Sequence, residues 1–284
     1  MQILKDRTYE NGFLVSKLIS SAVPPYDGSR LSYGKDAEPL WKMVQWFSTE
    51  TLAGTEPVID GNTTTYQNRV KSFVRTLHED GTATITFTCN AYEEYGGAFP
   101  KEDFYGWVHM GFEQHFEPVR LADFESFVLS FKAALTVEEK APGERLDTNV
   151  GQVNFCFTLH NANPASPDYG KFIWNQVCLH DSRYAIPPEY CAIDAGVAEC
   201  SGEFIYTMDA RRMLDAPLAN SGERRISYDW LPEMRYALDR VQQSGGMKHT
   251  NFEDLVTGFL GLGFETSRGD IYTLSIGDLS VEAN

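Results

Sequence analysis

Apolar and polar residues alternate along most of the chain from about residue 68 onward, which is the two-residue period of a half-buried β-strand. Turn signals such as Pro142-Gly143 and Asn163-Pro164 separate most of these runs. The runs are rich in aromatic and β-branched residues, and they span 69–78, 82–90, 105–116, 124–135, 151–160, 171–181, 203–208 and 271–281. We therefore predict an all-β fold, a β-sandwich or a barrel with about eight short strands.

One stretch near the C-terminus has a helical period instead. Ser227 or Asp229 is suited to cap its start, and Gly245-Gly246 is suited to end it. Its apolar stripe consists of Trp230, Leu231, Met234, Ala237, Leu238 and Val241. This pattern predicts a single α-helix docked on the sandwich.

A shorter helical pattern lies in the turn-rich N-terminal region. Leu40, Val44 and Phe47 recur at helical spacing after Pro39, which suits a first helical turn, so we expect a short N-terminal helix here. The chain contains no internal repeat and no shift of composition. We therefore predict one β-sandwich domain over 1–284, with a loop-rich N-terminal elaboration at 1–66 and the sandwich proper at 67–284.

The charge of the chain limits its partners. Its 284 residues carry a formal net charge of −16. Because nucleic-acid binding needs a basic surface and anionic membranes repel acidic proteins, we expect neither partner. No apolar stretch is long enough to span a bilayer, and the first residues lack the apolar core of a signal peptide. We therefore expect a cytoplasmic protein, or a secreted one whose leader has been removed.

The five cysteines are odd in number and show no C-x-x-C spacing. We expect structural thiols, with a bridge between Cys191 and Cys200 as the alternative. The sequence contains neither paired zinc ligands nor a phosphate-binding glycine loop, so we predict no metal and no other cofactor.

Three of the runs carry unusual side chains opposite their core face. In 105–116, Val108, Met110 and Phe112 fit the core, and residues two apart in a strand share a face. The opposite faces of 105–116, 151–160 and 171–181 hold Tyr105, Trp107, His109, Glu113, His115, Asn154, His160, Trp174, Gln176 and His180. If the three strands are neighbours in one sheet, these side chains form one surface.

A surface of this composition has the chemistry of a sugar site. Flat aromatic rings stack on pyranose faces, and amides, imidazoles and carboxylates bind the hydroxyl groups. We assign acid/base chemistry to Glu113, with His109, His160 and His180 orienting it or the substrate. The predicted substrate-binding residues are Tyr105, Trp107, Trp174, Gln176, Asn154 and Arg183. The predicted function is glycan binding, with glycoside hydrolysis as the activity.

Several alternatives stay open on the residues alone. The protein is a non-catalytic carbohydrate-binding domain, a polysaccharide lyase that uses His or Tyr as base, or a structural β-protein whose second face is covered. A metal site is a further alternative, because His109, Glu113 and His115 share one strand face. The second carboxylate that a glycosidase needs is also open, with Asp181 and Glu265 among the candidates.

The pattern of Trp107, His109 and Glu113, with the strand at 174–183, Phe264-Glu265 and a final strand, resembles jelly-roll proteins of bacterial glycan use. These include concanavalin-like hydrolases, lyases and sugar-binding modules. The resemblance spans about residues 68–284, and it implies a jelly-roll-like sandwich that binds a glycan on its concave face. The E-x-D-x-E catalytic strand of one hydrolase group in that fold is absent, so the resemblance carries over no catalytic residue.

Overall fold

The computed structural model describes residues 1–19, 22–97, 107–140, 150–195 and 200–284. The strands in these ranges are β1 (Phe13–Ser16), β2 (Tyr26–Leu31), β3 (Trp41–Val44), β4 (Val58–Asp60), β5 (Thr63–Gln67), β6 (Lys71–Leu77), β7 (Ala83–Asn90), β8 (Val108–Arg120), β9 (Phe127–Glu138), β10 (Gly151–Asn161), β11 (Phe172–Asp181), β12 (Tyr190–Ile193), β13 (Phe204–Met208), β14 (Arg224–Asp229), β15 (Leu255–Thr266) and β16 (Ile271–Ala283). The helices are α1 (Ala91–Glu94) and α2 (Leu231–Gln243).

These strands form two sheets. The first has nine strands in the order β12-β13-β11-β10-β15-β8-β3-β1-β2, and the second has seven in the order β14-β9-β16-β7-β6-β5-β4. Pairing is antiparallel except between β1 and β3 and between β11 and β13. The prediction of an all-β fold is therefore confirmed.

Aromatic side chains from the two sheets meet in the core. Phe131 of β9 stacks on Phe155 of β10 with ring centroids 4.4 Å apart, and Phe87 of β7 stacks on Phe264 of β15 at 5.3 Å. Each of these residues is at most 2% exposed. Burying one such side chain stabilises a fold by about 1.5–3 kcal/mol. The two sheets thus form a β-sandwich, and each keeps one face turned away from the core.

The N-terminal region is integrated into both sheets rather than added to the sandwich. Strands β1 to β3 extend the nine-stranded sheet, and β4 and β5 extend the other. The short helix predicted after Pro39 is wrong, because Trp41–Val44 form strand β3 between β1 and β8. Trp41 and Met43 are buried at a period of two, whereas Leu40 stays 38% exposed. Burial in this segment therefore follows the two-residue period of a strand. The spacing of Leu40, Val44 and Phe47, which fits a helix, did not indicate this.

Helix α2 follows β14, and polar contacts tie it to the nine-stranded sheet. Trp230, just before the helix, donates its Nε1 hydrogen to Asn175 Oδ1 on β11 at 2.7 Å. Glu233 in the first turn accepts from the Tyr206 hydroxyl on β13 at 2.5 Å and from Arg212 Nη1 at 2.6 Å. No helix in the described ranges combines the length and apolarity needed to cross a membrane.

The expected alternative of a cysteine bridge is wrong. Cys89, Cys156, Cys178 and Cys191 are free thiols, so Cys191 is not linked to Cys200. Burial raises the pKa of Cys89 to about 12, which suits an unreactive core thiol.

Candidate functional site

The candidate site lies on the outer face of the nine-stranded sheet, which is the face turned away from the seven-stranded sheet. Val108, Met110 and Phe112 of β8 are buried in the core, so His109 and Glu113, which have the opposite strand parity, face outward. In the sheet, β15 lies between β8 and β10, and β11 follows β10. The three strands predicted to share one surface are therefore close together, but a fourth strand separates the first from the other two.

Glycines occupy the middle of this outer face. Gly263 pairs with Gly111 across β15 and β8, and Gly261 pairs with Glu113. A Cβ atom on Gly111 would lie 2.2 Å from the Leu262 carbonyl oxygen, and one on Gly263 would lie 2.5 Å from the Met110 carbonyl oxygen. The strands thus approach too closely for any side chain, and the sheet surface is recessed there.

We call this recess the trough. Its floor consists of Gly111, Gly261 and Gly263, and it is bordered by His109, Glu113, Glu265, Asn154, Trp174 and Phe259.

The carboxylate of Glu113 lies beside the floor and is held in place by two donors. It accepts a hydrogen bond from the Tyr26 hydroxyl, and His115 Nε2 lies 3.3 Å from its Oε1 atom. The Glu113 side chain is 9% exposed. Burial together with the negative charge and hydrogen bond of Glu113 raises the pKa of Tyr26, so the phenol keeps its proton and remains a donor. Glu113 is therefore fixed as a hydrogen-bond acceptor at the wall of the trough.

The second carboxylate of the trough belongs to Glu265, whose Oε2 atom lies 2.8 Å from His109 Nε2. His109 Nδ1 faces the Trp107 carbonyl oxygen at 2.9 Å, so both ring nitrogens meet an acceptor, which favours the doubly protonated imidazolium. Burial alone lowers the pKa of His109, but the hydrogen bond and charge of Glu265 and the Trp107 carbonyl outweigh it and raise the pKa above its ordinary value. Asn154 Nδ2 also approaches Glu265, at 3.4 Å.

Aromatic rings border the trough at both ends. At the His109 end, the rings of Trp46 and Phe47 lie 5.8 and 5.7 Å from the imidazole. At the other end the rings form one continuous row. The contacts in this row are His160 with Phe172 at 4.8 Å, Phe172 with Trp174 at 5.1 Å, Trp174 with Phe259 at 6.1 Å and Phe259 with His115 at 5.1 Å. A chain-like ligand along the trough would therefore meet flat rings on either side of the carboxylates.

Three buried polar atoms near the trough have no hydrogen-bond partner among the described residues. They are Trp46 Nε1, Asn154 Oδ1 and Thr158 Oγ1. Asn154 is the neighbour of Gly263, and Thr158 pairs with Trp174. A buried polar atom without a partner costs about 1–3 kcal/mol, and such atoms collect where a ligand or water completes the bonding.

The structure removes His180 from this surface. The ladder between β10 and β11 shifts register, so that Asn154 pairs with Cys178 while Val153 pairs with His180. Val153 faces the core, and the shifted His180 therefore turns between the sheets, where its ring lies 6.3 Å from that of Tyr272. The extra residue reverses the parity of the end of β11. The predicted role of His180 in the cluster is wrong for this reason.

The same shift turns Asp181 to the outer face, in register with Gln152. Asp181 accepts from Gln152 Nε2 at 2.6 Å and from Arg183 Nε and Nη2 at 2.9 and 2.6 Å. Burial opposes ionisation, but these hydrogen bonds and the Arg183 charge lower the pKa of Asp181. Arg183 thus neutralises a buried carboxylate at the end of the trough.

The other predicted residues occupy separate parts of the face. Gln176 donates to Thr207 Oγ1 at 2.8 Å, and Trp174 donates its indole hydrogen to Ser201 Oγ at 3.0 Å. Trp107 immediately precedes β8 and is half-buried. Tyr105 lies outside the described residues. Within those residues, no group of three or more His, Cys, Asp or Glu side chains is arranged to hold a metal ion.

Sequence reasoning missed the central strand β15 of this site. Its glycines at 261 and 263 alternate with the buried Leu260, Leu262 and Phe264. That alternation was the available signal, because glycine at every second position of an apolar run indicates a face without side chains.

Solved glycoside hydrolases are similar to this chain in structure. The family 12 xyloglucanase from Bacillus licheniformis has a TM-score of 0.43 and 12% identity, covering 85% of this chain and 100% of that chain. Endoglucanase 3 of family GH12 from Trichoderma harzianum has a TM-score of 0.42 and 11% identity, covering 88% and 100%. The family 11 xylanase from Neocallimastix patriciarum has a TM-score of 0.41 and 8% identity, covering 86% and 100%.

These solved structures are glycoside hydrolases, one of the classes of protein named in the resemblance stated from the sequence. At such identities and TM-scores they assign no substrate and no residue role to this chain. No protein-family model and no curated protein matches the sequence.

Proposed function

We propose that the protein binds a neutral glycan chain in the trough. The observation that carries this proposal is the glycine floor between two sets of aromatic rings, with carboxylates and unsatisfied polar atoms beside it. A glycan supplies both kinds of surface that such a site needs, because its apolar ring faces stack on aromatic rings and its hydroxyls both donate and accept hydrogen bonds.

The charges around the trough favour a neutral ligand over an acidic one. Glu113 and Glu265 both border the floor. His109 pairs with Glu265, and Lys42, which pairs with Glu113 across β3 and β8, lies over the Tyr26 ring at 4.7 Å. Arg183 is engaged by Asp181. A uronate carboxylate would therefore meet two carboxylates, while His109, Lys42 and Arg183 in the described part of the chain already contact other groups, which also makes the lyase alternative less favourable.

Glycoside hydrolysis is the second candidate, because two carboxylates of different environment border the same trough. Glu113 on β8 pairs with Gly261 on β15, and Glu265 lies four residues further along β15. The Cα atoms of Glu113 and Glu265 are therefore roughly 14 Å apart. Glycosidase carboxyl groups lie about 5–9.5 Å apart, so both side chains must turn toward each other to cleave a bond. Binding is therefore the function that the geometry supports best.

Glycan affinity tests the first candidate. A panel of soluble neutral and acidic oligosaccharides is titrated into the protein by calorimetry, and the best ligand is then titrated into Trp174→Ala. Loss of the Trp174 ring should weaken binding by about 1–2 kcal/mol, or roughly 5- to 30-fold in Kd. Tyr236→Ala on helix α2 is the matched control, since it removes a partly exposed ring away from the trough. An equal loss in both variants, or no loss in either, refutes the proposal.

Reducing-end release tests the second candidate with Glu113→Gln and Glu265→Gln. If the protein only binds glycans, the wild-type chain releases no reducing ends from any of them. Turnover by the wild type that disappears in Glu113→Gln, while affinity persists, would establish hydrolysis with Glu113 as the acid/base.

A further inference from the structure

A second cavity lies between the sheets at the end of β11, separate from the trough. It has a volume of about 200 Å³ and is lined by His180, Ser182, Ala219, Arg268, Asp270 and Tyr272, among others. His180 turns inward while the adjacent Asp181 turns to the outer face, so strand β11 separates the two sites. A ligand in one site therefore does not fill the other.

A buried ion pair forms one wall of this cavity. Arg268 Nε lies 2.7 Å from Asp270 Oδ2, and the two side chains are 6% and 2% exposed. Because the charges neutralise each other, the wall presents the remaining guanidinium hydrogens and carboxylate lone pairs without a net charge. Such a pair both donates and accepts, which is how a pair of neighbouring hydroxyl groups is bound.

His180 places a further polar group on the lining of the cavity. His180 Nε2 is buried and has no hydrogen-bond partner in the described part of the chain, whereas the Tyr272 hydroxyl lies beside the Thr266 side chain. Burial lowers the pKa of His180 to about 4, so the ring is neutral at pH 7 and offers one donor and one acceptor. The Ser182 hydroxyl accepts from the Gly151 amide at 3.1 Å, and within the described ranges its own hydrogen has no acceptor.

The volume of the cavity limits the size of the ligand that it can hold. A volume of 200 Å³ corresponds to the space of roughly six or seven waters at about 30 Å³ each, and it is below the ~300 Å³ of a site for a drug-sized ligand. A single sugar ring fits this range, whereas an oligosaccharide does not.

We propose that this cavity binds one neutral monosaccharide unit, independently of the trough. The Arg268–Asp270 pair would bind neighbouring hydroxyls, and His180 would bond to a further hydroxyl of the sugar. The Tyr272 ring and Ala219 supply the apolar contact.

Ligand-observed NMR and calorimetry with glucose, galactose, mannose, xylose and glucuronate test this proposal on the full chain. We expect at least one neutral sugar to bind with millimolar affinity, and glucuronate to bind more weakly. Ala219→Phe should fill the cavity and weaken the binding at least tenfold, while Trp174→Ala in the trough should leave it within twofold. His180→Phe, which removes one hydrogen-bonding ring at similar size, is the second variant and should also weaken binding.

Thermal unfolding of each variant shows whether it is folded. Failure of every neutral sugar to bind, tighter binding of glucuronate, or binding that Ala219→Phe and His180→Phe leave unchanged would each overturn the proposal. Loss of monosaccharide binding in Trp174→Ala would overturn it too, because the sugar would then be in the trough. The proposal that the trough binds a glycan chain is tested by a different measurement, the oligosaccharide affinity of Trp174→Ala. The two proposals can therefore fail independently.

Discussion

Lys71 and Glu94 form a buried ion pair whose disruption should destabilise the fold by a predictable amount. Lys71 Nζ lies 3.4 Å from Glu94 Oε1, and the side chains are 1% and 0% exposed. Glu94 also accepts from the Thr49 amide at 2.6 Å and from the Ser48 hydroxyl. The pair therefore holds the segment that directly follows Trp46 and Phe47, the rings at one end of the trough.

Replacing Lys71 by Met keeps the length of the side chain but leaves a carboxylate in the core without its cation. Removing one partner of a buried pair costs about 3–5 kcal/mol. Since Glu94 keeps its hydrogen bonds to residues 48 and 49, we expect the lower end, about 3 kcal/mol. At roughly 2–4 °C per kcal/mol for a chain of this size class, the melting temperature should fall by about 6–12 °C.

The double variant Lys71→Met/Glu94→Gln is the matched comparison. It removes both charges, while the amide oxygen still accepts from Ser48 and Thr49, so its stability should lie within about 1 kcal/mol of the wild type. Guanidinium unfolding, with the midpoint compared at constant slope, measures both values. A loss below 1 kcal/mol in Lys71→Met, or a double variant no more stable than the single one, would refute the reasoning.

Three further predictions concern the trough. Because the folded pKa of His109 is raised, its pair with Glu265 stabilises the fold below about pH 6.5, and this contribution of about 1 kcal/mol should disappear as the pH rises through the folded pKa. The stability difference between wild type and His109→Gln should therefore shrink from pH 5.5 to pH 9, and a constant difference contradicts the pairing. Gly111→Ala should lower the free energy of unfolding by at least about 2 kcal/mol, because its Cβ would lie 2.2 Å from a backbone oxygen. Gly258→Ala is the control and should cost less, since its nearest atom would lie at 3.0 Å. Equal losses of stability in the two variants by chemical unfolding would contradict the close approach of the strands at Gly111. Gly261→Ala should displace the Phe259 ring, whose nearest atom would lie 2.7 Å from the new Cβ, and weaken glycan affinity; unchanged affinity by calorimetry would place the ligand elsewhere.

The long strands with regular alternation were predictable, because burial on one face imposes a two-residue period on a long run. Strands β8 and β10 carry His109, Glu113 and Asn154 outward between buried apolar residues, as the alternation predicts. Strands β1 and β3 have only four residues each, and in so short a segment three apolar residues fit a helical spacing as well as a strand. The place of β3 in the sheet depends on pairing with β8, and that of β1 on pairing with β3, which local sequence does not encode.

The end of β11 shows a second limit of predicting the face of a side chain from the alternation of residues along a strand. A single shift of register between Val153 and Asn154 sends His180 inward and Asp181 outward. The sequence contains no glycine or proline at this point to mark the irregularity. Alternation therefore predicts a face correctly only up to the first bulge, and residues beyond it need the structure.

The indole resonances of the five tryptophans give the most direct test of glycan binding in the trough. Trp46 and Trp174 border the trough, whereas Trp41 and Trp230 are fully buried in the core. In a titration of the ¹⁵N-labelled protein with the best neutral oligosaccharide, we predict saturable shifts of the Trp46 and Trp174 indole signals, while those of Trp41 and Trp230 stay unchanged. Binding that leaves the Trp46 and Trp174 signals in place would contradict the assignment of the trough as the glycan site.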